Sequence, residues 1–282
     1  MINILIIGFG KVGSHLYYAL KNTGNKYNIN VIKSSRTKIN NNHFLNSNVI
    51  FFCMQDDKIK QAVKNISGTG VSIKGKITVH TSGTLSSGEL SQLKKRGTYT
   101  ASFHPVQTFS KKANKDLGHF KKIYIAIEGD KKAVKVLSEV SKSIGSIPFV
   151  IDTGFKTLHH ICCVLSSNYL VTHLSVLREI YRQKFGFKKV NFFNIYMPLI
   201  QQTLTNISAS GIESSLTGPI ARNDVKTIKK HIQELETFMR EEIVDYYRFI
   251  GDKTIKIARK KGSLKNNQVK ELKKLFKTNN KN

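Results

Sequence analysis

The chain has 282 residues, 40% of them hydrophobic, and a formal net charge of +28. That length exceeds one ordinary core and predicts two domains, and the apolar content suffices to fold them without metals or disulfides. The charge invites a nucleic-acid reading, but the lysines are spread along the whole sequence among many asparagines and isoleucines, as AT-rich codons produce, and no zinc knuckle, glycine-aromatic RNA motif or basic zipper accompanies them.

Only residues 251–282 concentrate the charge, with eleven Lys or Arg against two acids. This basic C-terminal segment reads as a solvated face, and nucleic acid is not an expected partner. The three cysteines, Cys53 and the neighbours Cys162 and Cys163, lack metal-ligand spacing and a disulfide framework. A reducing cytoplasm is therefore expected, with no metal site. The opening "MINILIIGFG" has no basic n-region or cleavage site and suits a strand and turn. The apolar run 161–177 is interrupted by Ser166, Ser167, Asn168, Thr172 and His173, which makes a poor membrane span.

In chain order, β-branched runs predict strands at 2–7, 29–33, 48–53, 76–81, 99–103, 122–127 and 146–151. Amphipathic stretches at 11–23, 56–66, 86–96 and 130–144 predict the helices between them. This alternation is the pattern of a mostly parallel, doubly wound α/β sheet, assigned to residues 1–152. After Asp152 the pattern turns all-helical, at about 155–184, 190–208 and 224–248 with further helix beyond. Ile228, Ile232, Leu235 and Met239 form one stripe, and Asp224 is a candidate N-cap. Residues 153–250 are assigned to a helical domain.

The first strand–helix junction carries Gly8, Gly10 and Gly13 in "GFGKVG". In that context G-x-G-x-x-G predicts a dinucleotide site built from Gly8, Phe9, Gly10, Lys11, Val12 and Gly13. Gly8 permits the tight turn, Gly10 the approach of a pyrophosphate, and Gly13 the packing of helix on strand. The next strand ends in "VIKSSRTK", without the acid that bonds an NAD ribose. Ser34, Ser35 and Arg36 would hold a 2′-phosphate, so NADP is expected, with NAD less favoured.

Three loops fall at predicted carboxyl ends of strands. "CMQDDKI" offers the backbone of Met54 and Gln55 to the cofactor, "HTSG" presents Ser82, and "SFHPVQTF" presents His104. On the helix opened by "KTLHHICCVLSSNYL", Lys156, His160 and Ser167 or Asn168 share one face. Such a row is either paired inside a core or faces a pocket, and the cost of burying lysine with histidine favours the pocket.

Taken in order, GFGKVG, SSR, CMQDD, HTSG, FHPVQTF, KTLHH, SSNYL and LTGPIARND resemble one family through nearly the whole chain up to about residue 250. This is the group of predicted NADP-dependent oxidoreductases with a Rossmann domain and a C-terminal helical domain of unknown function 2520. The group is similar to pyrroline-carboxylate reductases, ketopantoate reductases, prephenate dehydrogenases and the 6-phosphogluconate dehydrogenase group.

The resemblance implies an oxidoreductase moving a hydride to or from a C=O or C=N carbon of a small, anionic metabolite, in a homodimer. Lys156 fits the lysine of the β-hydroxyacid dehydrogenase relatives, and His160, Ser167 and Asn168 match the family's His and Ser-Asn places. The sequence departs at His159, where the family has tyrosine, and at Cys162 and Cys163 among its small residues. His160 is implied as acid or base, with Lys156 assisting and Asn168 and Ser82 orienting substrate. His104 follows by analogy with a His-Pro stretch in prephenate dehydrogenases. Arg222 is a candidate clamp for an acidic substrate or a partner's cofactor. Two alternatives stand beside this reading: a protein that binds or senses NADP without turnover, and a related reductase using a deazaflavin.

Overall fold

The computed structural model describes residues 1–33, 41–185 and 191–277. The chain falls into two compact units, Met1–Leu170 and Val171–Asn282.

The first unit is built on β1 (Ile2–Ile7), β2 (Tyr27–Ile32), β3 (Val49–Phe52), β4 (Ile77–His80), β5 (Tyr99–Pro105), β6 (Tyr124–Gly129) and β7 (Ile147–Val150). Among the described residues these seven strands form one sheet in the order β2-β1-β3-β4-β5-β6-β7. All pairs are parallel except β5 with β6. Strands β3 and β4 are buried at every position, as expected where both faces of a parallel sheet are covered. Alternate residues feed two cores: Ile4, Ile6, Val49 and Phe51 join one, and Leu5, Ile7, Ile50 and Phe52 the other. The first core takes Leu16 and Leu20 of α1 (Lys11–Lys21), and Ala133, Leu137 and Val140 of α5 (Lys131–Ser143). The second takes Phe44 of α2 (Asn41–Leu45), Ile59, Val63 and Ile66 of α3 (Asp56–Ser67), and Leu93 of α4 (Ser91–Lys94). Each Val, Leu, Ile or Phe side chain among these contributes about 1.5–3 kcal/mol by leaving water.

The expected α/β sheet is therefore present, with local differences. The helix expected at 86–96 is a 3-10 turn at Ser87–Leu90 followed by the short α4. Ser87 is drawn aside there by two bonds to Glu128, from its backbone N and from its hydroxyl, each 2.7 Å long. The chain order reverses around β1, which has β2 on one side and β3 on the other. This is the switch point at which a doubly wound sheet opens a ligand crevice.

The helix expected over 155–184 is two helices, α6 (Lys156–Ser166) and α7 (Asn168–Phe185). Ser167 breaks it, leaving helical geometry at φ −124°, ψ −69°. The Ser166 and Ser167 hydroxyls donate back to the Cys162 and Cys163 carbonyls at 2.8 and 2.7 Å, a pattern that bends helices. The sheet ends near the expected change at 152, but α6 lies within the first unit because Lys156 buries against β5. By length and composition alone the run Thr153–Gln183 contains a stretch apolar enough to cross a membrane (mean hydropathy 1.3).

The second unit continues through α8 (Phe192–Ser210), α9 (Ile212–Ser215), α10 (Val225–Phe238), α11 (Glu241–Lys260) and α12 (Asn266–Leu275). Asp224 caps α10 as expected, accepting from the Thr227 backbone N at 3.0 Å and its hydroxyl at 2.7 Å. The helix expected over 224–248 breaks at Met239 and Arg240, which are extended. Glu241 and Glu242 then restart it, placed where the helix dipole favours acids. Residue 250, where the charged segment begins in sequence, lies inside α11. Beyond it, Ile255, Ala258, Leu264, Val269, Leu272 and Phe276 pack on Ile228 and Ile232. The basic segment is thus amphipathic: Lys270, Lys273 and Lys274 face solvent while Val269 and Leu272 are buried.

Candidate active site

The glycine turn lies at the carboxyl end of β1 and opens α1. Gly8 holds φ +102°, and a Cβ there would strike the Cys53 carbonyl oxygen. A Cβ on Gly13 would strike the Gly8 carbonyl and meet Cys53 Cβ at 2.9 Å. Both glycines are required by the packing of this turn on β3. Gly10 differs, because a Cβ there meets nothing within 4 Å. The space above it is open, and Gly10 gives α1 no side-chain cap, so the first helical amides of Lys11, Val12 and Gly13 are free to meet an anion. Met54 sits beside Gly8, its Cβ 3.6 Å from a Cβ built there, and Gln55 is the N-cap residue of α3. Phe9 lies under the Lys33 amine at 5.4 Å from the ring centre. Ser34, Ser35 and Arg36 lie outside the described residues.

Farther along the same sheet edge, Lys156 starts α6 with its side chain almost wholly buried (1% exposed). Its Nζ donates to the Ser102 hydroxyl on β5. Burial pulls the amine down from 10.5 to about 8, while the nearby carboxylates of Glu128 and Asp56 oppose that fall. Glu128 on β6 is itself buried and accepts from Ser87 N, Ser87 Oγ and, at 3.0 Å, Thr153 Oγ1. His80, at the end of β4, bonds through Nε2 to the Ser86 carbonyl at 2.9 Å, and its buried Nδ1 has no partner. Desolvation lowers its pKa, and the Lys156 charge adds to that effect.

His104 on β5 is pushed down to about 3, first by desolvation and then by Lys156 and the neighbouring histidines. Its Nδ1 is buried without a hydrogen-bond partner. The loop after β4 passes between the histidines: a Cβ on Gly83 would contact the His160 ring edge and lie 2.7 Å from His104 Nε2. His160 Nδ1 stands 3.4 Å from the Thr84 hydroxyl. His159 is lowered by burial, then by Lys156 and His160. The ring centres of His104 and His160 are 5.9 Å apart. A cleft of about 370 Å³ opens along His104–Thr108 and the His159, Cys162, Cys163, Ser166 and Ser167 side of α6.

The structure thus brings together Lys156, His160 and His104, joined by Ser82 through the loop they flank. The Ser82 hydroxyl accepts from Thr84 N at 3.2 Å and Leu85 N at 3.0 Å, so it holds that loop in shape. Ser167 lines the cleft, while Asn168 is exposed at the start of α7, with its Oδ1 3.0 Å from Ser167 Oγ. Arg222 is exposed in the second unit. Sequence reasoning missed Ser102, Glu128 and His80. Glu128 had a signal, as the one acid in the apolar strand run "KIYIAIEG".

Comparison with known proteins agrees with the fold and with the resemblance. Residues 123–254 match the family model described as a domain of unknown function, number 2520. No curated protein matches the chain. Among solved structures, protein TM1727 from Thermotoga maritima is similar with TM-score 0.67 and 22% identity, covering 95% of this chain and 98% of that one. A candidate NADP oxidoreductase from Bacteroides fragilis, BF3122, follows at TM-score 0.66 and 18% identity, covering 93% and 98%. A reductive aminase from Aspergillus terreus, in complex with NADPH4, cyclohexanone and allyl amine, has TM-score 0.58 and 14% identity, covering 98% and 99%. At these identities the likeness establishes a shared fold.

Proposed function

We propose that this chain, a member of the family with the domain of unknown function 2520, is an NAD(P)-dependent oxidoreductase. It prefers NADPH and moves a hydride to or from a C=O or C=N carbon of a small, anionic metabolite. The observation that carries this reading is Gly10: its lack of a side chain serves no contact within the protein. It stands at the sheet's switch point, before an uncapped helix end that suits a pyrophosphate. Lys33, at the end of β2, supports the phosphorylated cofactor by placing an amine near Phe9, and Arg36 is assigned the 2′-phosphate. When bound, a nicotinamide cofactor supplies or accepts the hydride.

The remaining chemistry falls to the chain's own residues. Lys156, drawn to about 8, exchanges a proton near neutral pH, and Ser102 orients its Nζ. Glu128, fixed by Ser87 and Thr153, keeps the buried ammonium from being lost altogether. His160, at the open side of the Gly83 loop, hydrogen-bonds the reacting oxygen or nitrogen and shares the proton transfer. His104, held near 3, is uncharged at neutral pH and positions substrate. Ser82 supports the loop, and Ser167 and Asn168 border the substrate.

Helix α8 supports a homodimer. Of its 19 residues only Phe192 is buried, and Phe193, Ile195, Leu199, Leu204 and Ile207 are exposed. We assign this surface and the apolar side of Thr153–Gln183 to subunit contacts. The break at Ser167 and the polar residues His160, Ser166, Asn168, Thr172 and His173 suit that better than a lipid span. A reducing cytoplasm is the matching location.

Titrating NADPH and NADH by nucleotide fluorescence, on the protein and on Arg36→Ala, tests the reading. Tighter NADPH binding that is selectively lost in the variant is expected. Failure to bind either nucleotide removes the reading. Binding without consumption across a carbonyl and imine panel would favour an NADP sensor.

A further inference from the structure

His104, His159 and Cys163 each offer one donor atom, and the three atoms lie within 4.8 Å of one another. His159 and Cys163 are one turn apart on α6, with Nε2 3.8 Å from the thiol sulfur. His104 joins them from β5, its Nδ1 buried and without a hydrogen-bond partner. All three line the cleft of about 370 Å³, so an ion there is reached from solvent.

A tetrahedral zinc ion with nitrogen and sulfur ligands keeps its donors roughly 3.3–3.6 Å apart. The His159–Cys163 pair already stands close to that spacing. The separations at His104, within 4.8 Å, leave at most roughly 1.5 Å to close, within reach of a rotation of its ring. Two imidazoles and one thiolate favour a borderline-soft ion and disfavour magnesium and calcium, which take oxygen.

We propose that His104, His159 and Cys163 form a site for a divalent transition metal of the zinc class, with its fourth position open to the cleft. Coordination releases the Cys163 thiol proton to solvent. The fourth position takes water, or a nitrogen or oxygen donor of a molecule entering the cleft. The spacing of the cysteines alone predicts no such site, because one donor comes from a strand far away in sequence. The Lys156 charge, which acts on His104 and His159, weakens a cation, and the thiolate offsets it. The site does not depend on the nucleotide reading.

The test uses the full chain, reduced and stripped with a chelator, titrated with cobalt(II) alone and then displaced by zinc(II). A near-ultraviolet thiolate-to-cobalt band with intense tetrahedral visible bands is expected at one equivalent. Cys163→Ser should abolish the charge-transfer band, and Cys162→Ser should retain it. His159→Tyr should weaken cobalt binding on the order of tenfold or more. Positions 159 and 163 are only partly buried, so these variants keep the fold, which a thermal melt checks. Absence of the band overturns the proposal. So does a band that survives Cys163→Ser, or affinity unchanged in His159→Tyr.

Discussion

Helices α6 and α8 invert the ordinary rule of burial in opposite ways. The first hides a lysine: Lys156 is 1% exposed, while Leu158, Ile161 and Leu165 of the same helix face outward. The second hides almost nothing, and Leu199 is 65% exposed. A buried amine is costly unless its charge is matched, which Ser102 and Glu128 do in part, and its lowered pKa records the remainder. An exposed apolar helix costs little in the isolated chain but leaves a large patch wet. On the proposed reading the two departures serve different ends, a small reacting molecule at α6 and a second copy of the chain at α8.

The comparison breaks most sharply at Lys156. Lys156→Met removes the buried charge and fills similar volume, so Tm should hold or rise. Turnover should fall roughly a hundred- to ten-thousand-fold if the amine moves the proton. A lysine of purely structural use would give the reverse, with lower Tm and intact kcat.

At α8, Ile195→Asp with Leu199→Asp places two charges one turn apart on the exposed face. Sedimentation velocity should show a dimer in the parent and a monomer in the double variant. A monomeric parent would return the patch to some other partner.

The glycines sharpen the contrast on a smaller scale. Gly13→Ala drives a methyl into the Gly8 carbonyl and should cost about 1–3 kcal/mol in denaturant unfolding. Gly10→Ala meets open space, so stability should change by no more than ~0.5 kcal/mol. Its NADPH affinity should still drop on the order of tenfold.

The smallest effect is the dependence of stability on pH. Lys156 has a folded pKa near 8 against an ordinary 10.5. Between those values the unfolded chain carries a proton that the folded chain lacks, so this group makes unfolding harder as pH rises. Lys156→Met should flatten that slope in melts across pH 8–10.5. In kcat/KM for reduction the same group predicts a fall above about pH 8, absent in the variant.

The sheet was legible because apolar runs such as "NVIFFC" and "KITVHT" alternate with helical stripes, and both strand and helix periods are local properties. The antiparallel turn of β6 was not, since strand direction depends on pairing with β5. Nor was the break at Ser167: its cause is two serine hydroxyls turning back on their own helix, in a stretch whose periodicity continues through it. At the candidate site, Lys156 stood out as a charge on an apolar helix face. Ser102 and Glu128, its surroundings, did not, because they come from two strands that meet it only in three dimensions. The role of the Ser82 hydroxyl in its own loop was not legible either, since the Thr84 and Leu85 amides that it accepts from reach it only once the loop is folded.

Cys53 carries one more consequence. Its carbonyl and β-carbon are pressed against Gly8 and Gly13, and burial pushes its thiol up to about 12. An alkylating reagent therefore meets Cys162 at once but reaches Cys53 only when the turn lifts away from β3. The protein thus contains its own clock: the slow phase of thiol labelling counts how often the glycine turn opens, and a ligand seated on that turn would lengthen the interval between ticks.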